Sequence, residues 1–180
     1  MKPQHATLIK PSTIRFERLL PGPVERVWAY LTESKKRATW LAAGEFELRL
    51  GGKVELIFEN EKLCDEKPPQ GARGAGKRSF EGRITRLEPL KALAYTWNWE
   101  PKASGRSEVL FELEPRGRDV LLVIHHRLPD DKDLKLAVGG GWEAHVGILE
   151  DQLNGAKPRG FWSAHARAMQ EFAESLEQIA

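Results

Sequence analysis

The sequence predicts an α+β fold in which a curved antiparallel sheet of seven strands wraps around one long helix near the end of the chain. Three observations predict it. A segment that ends near Asn154 keeps helical spacing over several turns, most of the preceding chain alternates as strands do, and the turns between those strands are short. Short connections favour antiparallel neighbours, so the last six strands are expected to form a meander.

The long helix is predicted to run from about Asp131 to Asn154. Its apolar and ring-bearing residues recur at steps of three and four, which places them on one face: Trp142, His145, Val146, Leu149 and Leu153. Gly155 suits the left-handed conformation that ends helices. Glu143 falls beside the stripe and is expected to face solvent. The glycines at 139–141 carry no side chain, so the sequence predicts a weak or bent point there.

The remaining elements follow from alternation and turn residues. The first strand is predicted over 12–20, after a polar lead-in at 1–11, and two short helices follow at 24–31 and 33–40. The other six strands are predicted at 46–50, 54–58, 80–87, 90–99, 107–113 and 119–128. Phe161, Trp162 and later residues again step by three and four, which predicts a terminal amphipathic helix.

The chain is predicted to form a single domain over residues 1–180, with a core at about 12–155 and a helical extension at 156–180. Residues 61–79 hold several glycines and prolines and almost no large apolar group, so we expect a mobile loop insertion. Part of this loop resembles a phosphate-binding motif. Arg78 stands where that motif needs Ser or Thr, and a strand follows instead of a helix, so no nucleotide site is predicted.

Composition excludes several classes of function. The net charge is +2, from 28 basic and 26 acidic residues that are well mixed, which is too weak a field to indicate nucleic-acid binding. No apolar run approaches the roughly 20 residues of a membrane span. The single cysteine, Cys64, allows no internal disulfide and fits a reducing compartment. With no apolar signal-peptide core near the N-terminus, we expect a cytoplasmic protein.

Several strings carry a family resemblance through their order: residues 14–31, Trp40, the glycine hairpin at 51–52, then 82–84, 93–97, 111–115 and 141–145. Over about 12–155 the chain resembles the heat-shock protein 90 ATPase activator homologue-like family of the START-like, or SRPBCC, superfamily. The resemblance implies the helix-grip fold and a cavity between sheet and helix. This family has no universal catalytic residues, so the resemblance implies no reaction. Its members include co-chaperone domains, ligand carriers and relatives of polyketide cyclases.

Aromatic residues supply the candidate site, in the wedge expected between the sheet and the long helix. Such a wedge can be lined by large rings without being closed, while Tyr, Trp and His add polar groups. The predicted ligand-binding residues are Trp40, Tyr95, Trp97, Trp99, Phe111, His125, Trp142 and His145. A core that these rings fill completely stays the alternative, because aromatic stripes also form ordinary packing.

His125 and His145 are the acid–base candidates that the pattern places near the wedge, while His126 is expected to face the other way. The alternative for each is a buried neutral histidine bonded to a backbone carbonyl. No motif puts a carboxylate or a nucleophile beside them, so no catalytic residue is assigned. Adjacent histidines on a strand point to opposite faces, so neither a metal site nor a cofactor is predicted.

Three classes of function therefore stay open. The leading interpretation is a non-enzymatic module that binds a small hydrophobic or aromatic molecule. The alternatives are a cyclase-like or hydrolase-like enzyme that uses His145 or Tyr95, and a co-chaperone or regulatory module that binds a protein. The strand at 119–128 is apolar on both faces, so either the terminal helix or a second subunit of a homodimer is expected to cover its outer face.

Overall fold

The computed structural model describes residues 6–10, 12–72, 74–97 and 107–177. Its strands are Thr7–Lys10 (β1), Thr13–Pro21 (β2), Lys53–Phe58 (β3), Arg78–Glu88 (β4), Ala92–Trp97 (β5), Ser107–Arg116 (β6) and Asp119–Arg127 (β7). Its α-helices are Val24–Thr32 (α1), Ser34–Arg37 (α2), Lys132–Leu153 (α3) and Phe161–Glu177 (α4). One short 3₁₀ turn, Asn60–Lys62, follows β3.

The seven strands form one antiparallel sheet in the order β1-β2-β7-β6-β5-β4-β3, and this curved sheet wraps α3. The predicted α+β, helix-grip architecture is confirmed. Strands β3 to β7 are neighbours in sequence and in space; short turns join β4 to β5 and β6 to β7, while the long predicted loop joins β3 to β4. Strand β2 pairs with β7 and so joins the first part of the chain to the last strand before α3.

Two strand predictions are wrong, although the total of seven is right. The lead-in forms β1, which pairs with β2 from Thr7 opposite Arg15. Residues 46–50 form no strand, and only Phe46 makes an isolated bridge, to Val54. Backbone hydrogen bonds join this segment to β3 only as far as Glu47, because tight turns follow, in which the Arg49 N–H donates to the Glu47 carbonyl and the Gly52 N–H to the Arg49 carbonyl. Leu50 is left 70% exposed.

The facing of β7 also differs from the expectation. Val120, Leu122, Ile124 and His126 are buried, whereas His125 is only partly buried and lies on the outer face. Both faces of this strand are apolar in sequence, so alternation alone could not choose between them. Pairing decides, because residues directly opposite each other share a face. Ile124 lies opposite Phe16 of β2 and Phe111 of β6, which are both buried.

Helix α3 begins and ends almost where the sequence predicts. Asp131 caps its first turn by accepting a hydrogen bond from the Leu134 N–H at 2.8 Å. The glycines inside it have a role that the sequence did not show, because α4 crosses the helix at this point. A Cβ atom on Gly139 or Gly140 would lie 2.6 Å from a side-chain carbon of α4. A Cβ atom on Gly141 would meet nothing within 4 Å.

The expectation that Glu143 faces solvent is wrong. Arg18 points inward from β2 and is only 3% exposed, and its guanidinium reaches two carboxylates of α3. Its Nη2 donates to Glu143 Oε1 at 2.6 Å and its Nη1 donates to Glu150 Oε2 at 3.0 Å. A helix held between a sheet and another helix has little solvent face, so a charged residue on it needs a partner in the interior.

Helix α4 packs on α3 and contacts β1. It therefore does not cover the outer face of β7, where Leu121 and Val123 stay partly exposed. Of the two coverings expected from the sequence, the terminal helix is excluded for this face. A homodimer contact on that face stays a prediction.

The first part of the predicted loop is tied to the start of α4. Glu66 accepts hydrogen bonds from the N–H groups of Trp162 at 2.7 Å and Ser163 at 3.1 Å. The Cys64 sulfur accepts one from the Phe161 N–H at 3.3 Å. These contacts satisfy N–H groups that have no partner within the helix. Mobility of the rest of the loop stays a prediction.

Glu66→Ala should lower the free energy of unfolding by about 1 kcal/mol, the typical value of a lost helix cap. Amide exchange at Trp162 and Ser163 should also accelerate, because their N–H groups lose their acceptor. Urea unfolding and exchange measured by NMR test both effects. Asp65→Ala is the matched control, because the pair of Asp65 with Lys157 is largely exposed and should contribute nothing measurable. Equal effects of the two changes would contradict the capping role.

Candidate functional site

A cavity of about 320 Å³ lies between the sheet, α3 and α4. This volume is at the lower end of the range of small-molecule sites. Five aromatic rings form much of its wall: Phe58, Phe80, Trp97, Trp142 and Phe161. Polar side chains interrupt this wall at five positions: Asn60, Arg78, His126, His145 and His165. The expected wedge is therefore open at this end of the fold.

The ring of Trp97 is held by neighbours on two sides. It stacks on Phe58, with ring centroids 5.4 Å apart, and it meets the edge of Trp142 at 5.8 Å. Stacked and edge-to-face arrangements are the favourable geometries for aromatic pairs. Because Trp97 comes from β5 and Trp142 from α3, this contact fixes the distance between the sheet and the helix at the cavity wall.

Three of the predicted ligand-binding residues line the cavity: Trp97, Trp142 and His145. Three others, Trp40, Tyr95 and Phe111, are buried in the core and do not line it. Some of the predicted aromatic residues therefore belong to a filled core, and others form the wall of the cavity. Trp99 lies outside the described residues.

His125 does not reach the cavity, and the expectation that it faces the wedge is wrong. Its Nε2 lies 3.6 Å from Glu112 Oε2 on the outer face of the sheet. His126 takes the inward position instead and lines the cavity. No local signal in the sequence could place it, because the inward face of β7 is set by its pairing with β2 and β6, where Ile124 lies opposite Phe16 and Phe111.

His126 is held in one tautomer. The indole Nε1–H of Trp142 is only a donor, and it donates to His126 Nδ1 at 3.1 Å. His126 Nε2 then carries the proton and donates to Ser107 Oγ at 2.6 Å. Burial lowers the pKa of His126 to about 3, so the ring is neutral near pH 7. In this state it cannot take the proton of Ser107, and the pair is not an activated nucleophile.

His145 is also neutral, and it hydrogen-bonds to a backbone carbonyl, as the alternative expected from the sequence describes. Its Nδ1 lies 2.7 Å from the Trp40 carbonyl oxygen, which can only accept, so Nδ1 carries the proton. Burial is the main cause that lowers the pKa of His145 to about 4, and the nearby charge of Arg78 adds to it. Its Nε2 keeps a lone pair, for which the described residues offer no donor. His145 thus contributes a hydrogen-bond acceptor to the cavity.

Two polar residues of the cavity were missed, because they border the predicted loop. Asn60 is only 3% exposed, and its Nδ2 donates to the Gly74 carbonyl at 3.3 Å. Arg78 is half-buried, with its guanidinium carbon 5.9 Å from the centre of the Phe80 ring. The alternation of Arg78, Phe80, Gly82 and Ile84 along β4 was the available signal, because it puts the arginine on the inner face.

No three His, Cys, Asp or Glu side chains in the described part of the chain are grouped to hold a metal ion. None of the helices, as far as their residues are described, is both long enough and apolar enough to cross a membrane.

A curved antiparallel sheet that grips a long C-terminal helix and leaves a ring-lined cavity defines a START-like domain. The model of the family described as "Activator of Hsp90 ATPase homolog 1-like protein" matches residues 21–154, and the chain belongs to this family. The match covers most of the sheet and all of α3. It leaves α4, which closes one side of the cavity, outside the family segment.

Solved structures support the same assignment. A Bordetella parapertussis protein determined by solution NMR is 40% identical over 95% of this chain and 90% of its own, with a TM-score of 0.79. CalU16 from Micromonospora echinospora is 24% identical over 90% of this chain and 86% of its own, with a TM-score of 0.67, and shows the shared fold. A Mesorhizobium loti protein is 25% identical over 79% and 96%, with a TM-score of 0.60. No protein with a curated description matches the chain.

Proposed function

We propose that the protein binds a small molecule with an apolar, ring-containing body in this cavity and does not transform it. The observation that supports the proposal is the open volume of about 320 Å³ among the rings of Phe58, Trp97 and Trp142. Protein interiors are otherwise close-packed, with few voids larger than a water molecule. A volume of this size that stays open between rigid rings suits a ligand of similar character.

The polar groups of the cavity support binding better than catalysis. His126 and His145 are neutral; both ring nitrogens of His126 are used in fixed hydrogen bonds, and His145 uses its Nδ1 in one. A general base near neutral pH needs a pKa close to 7, and burial lowers the pKa of both imidazoles well below it. The described residues that line the cavity include no Asp or Glu to orient either ring.

Gly141→Leu tests the cavity directly. The new side chain would enter open space, because nothing lies within 4 Å of a Cβ atom at this position. Leucine also favours a helix over glycine, so the fold should be kept or stabilised. We expect the affinity for 2-naphthamide, a neutral two-ring probe, to fall at least about tenfold, which corresponds to roughly 1.4 kcal/mol. Isothermal calorimetry measures it, and the wild type should show a negative heat-capacity change.

Gln152→Leu is the matched control, because it adds the same side chain to α3 at a position that does not line the cavity. Its probe affinity should equal that of the wild type. Unchanged binding in Gly141→Leu would contradict the placement of the site.

Native mass spectrometry of protein from its own host should find a co-purified small molecule. Turnover of an ester, lactone or polyketide substrate that His145→Gln abolishes would replace binding with an enzymatic function.

A further inference from the structure

One end of the cavity carries the cation Arg78, which makes no direct ion pair with a carboxylate among the described residues. None of the Arg78 guanidinium nitrogens hydrogen-bonds to a described residue, and no described carboxylate lies within 4 Å of them. Nε is buried, so water does not solvate it. Glu61 is the acidic residue whose negative charge acts on Arg78. Its carboxylate, however, accepts a hydrogen bond from the Gly76 N–H and does not line the cavity.

The charge of Arg78 stands alone within the cavity. Among the described lining residues there is no Lys, Asp or Glu; the histidines at 126 and 145 are neutral, and burial also lowers the pKa of the third, His165. A half-buried charge is unfavourable unless an opposite charge and hydrogen bonds compensate for it. The apolar wall near Trp97 and Trp142 cannot provide that compensation, but an anionic group of a bound ligand can.

Asn60 marks the same end. Its side chain is more than nine-tenths buried, and its Oδ1 has no hydrogen-bond partner among the described residues. Buried polar atoms are nearly always paired, so an unpaired one beside a cavity indicates a missing partner. Asn60 lies in the turn after β3 and Arg78 begins β4, and both line the cavity next to Gly74. Two independent unpaired groups therefore share one end of a cavity whose remaining wall is mainly aromatic and aliphatic, apart from three histidines.

We propose that the ligand ends in a carboxylate, which pairs with Arg78, while its ring-containing body lies against Trp97 and Trp142. This inference rests on the proposed function and adds the chemical class of the ligand. The planar guanidinium can donate two parallel hydrogen bonds to a carboxylate, the geometry in which arginine binds such groups most strongly. The acceptors Asn60 Oδ1 and His145 Nε2 would be served by a hydroxyl group of the ligand or by water.

The test compares 2-naphthoate with 2-naphthamide, which have nearly the same shape and differ in charge. In the wild type at pH 7.5, calorimetry should show that the carboxylate binds at least about tenfold more tightly, as charge-assisted hydrogen bonds require. Arg78→Gln should remove this preference. Arg78→Lys should keep part of this preference, because the positive charge stays while the planar pair of hydrogen-bond donors is lost. Arg83→Gln removes one charge from an exposed position of the same strand and should keep the preference in full.

Equal affinities of the two probes in the wild type would overturn the inference without any variant. It would also be overturned by a preference that survives in Arg78→Gln. In either case, weaker probe binding in Gly141→Leu would still support the proposed function, because that variant tests the cavity and not its charge. If neither probe binds the wild type, both the proposed function and this inference are contradicted.

Discussion

Replacing Trp142 by alanine is expected to lower the free energy of unfolding by about 3–5 kcal/mol, the usual cost of removing a buried tryptophan. The ring meets Trp97 at 5.8 Å and Phe111 at 5.5 Å in edge-to-face geometry, and its N–H donates to His126. Truncation therefore enlarges a cavity that is already open. It also leaves His126 Nδ1 buried without a donor, which adds its own penalty.

Trp142→Phe separates much of the two contributions, because it keeps one aromatic ring and removes the indole N–H together with the rest of the five-membered ring. It should cost about 1–3 kcal/mol, the penalty of an unsatisfied buried acceptor. Urea unfolding followed by circular dichroism measures both variants without relying on tryptophan fluorescence. If the alanine and phenylalanine variants lose the same stability, the ring contacts do not hold α3 on the sheet as described.

Arg18→Met is expected to lower the free energy of unfolding by about 2–4 kcal/mol. Removing one partner of a buried ion pair typically costs about 3–5 kcal/mol, because the other charge is left in the interior. The carboxylates here are 19% and 25% exposed, so water offsets part of that penalty. Arg159 also stays near Glu150, with its Nη2 3.1 Å from Oε2. Most of the lost stability should therefore come from the charge of Glu143, which loses its partner.

A double-mutant cycle with Glu143→Gln isolates that contact. The single change should cost about 1–2 kcal/mol in the wild type and close to nothing when Arg18 is already methionine, which is a coupling of the size seen for residues in contact. The exposed pair of Arg86 and Glu112 on the outer face of the sheet is the control, and its cycle should show no measurable coupling. No coupling between Arg18 and Glu143 would mean that the contact contributes nothing to the link between β2 and α3.

The sequence by itself determined the elements whose signals are local. The helical spacing, the aspartate cap and the stop at Gly155, which has a φ of +65°, lie within the same segment and define α3 to within a residue or two. The turn residues between β3 and β7 likewise predicted the meander and hence the sheet. The cavity wall formed by Trp97, Trp142 and His145 followed from periodicity, because those residues repeat on one face of their own strand or helix.

Only the tertiary structure decided the groups whose role depends on a distant partner. The inward face of β7 was set by its pairing with Phe16 and Phe111, since both of its own faces are apolar. Glu143 is a charged residue that the sequence places on the solvent side, and only the meeting of β2 and α3 brings it against Arg18. Asn60 and Arg78 border a long loop, and only the closure of that loop brings them to one end of the cavity. Periodicity records which residues share a face of one element, but it carries no information on which element will cover that face.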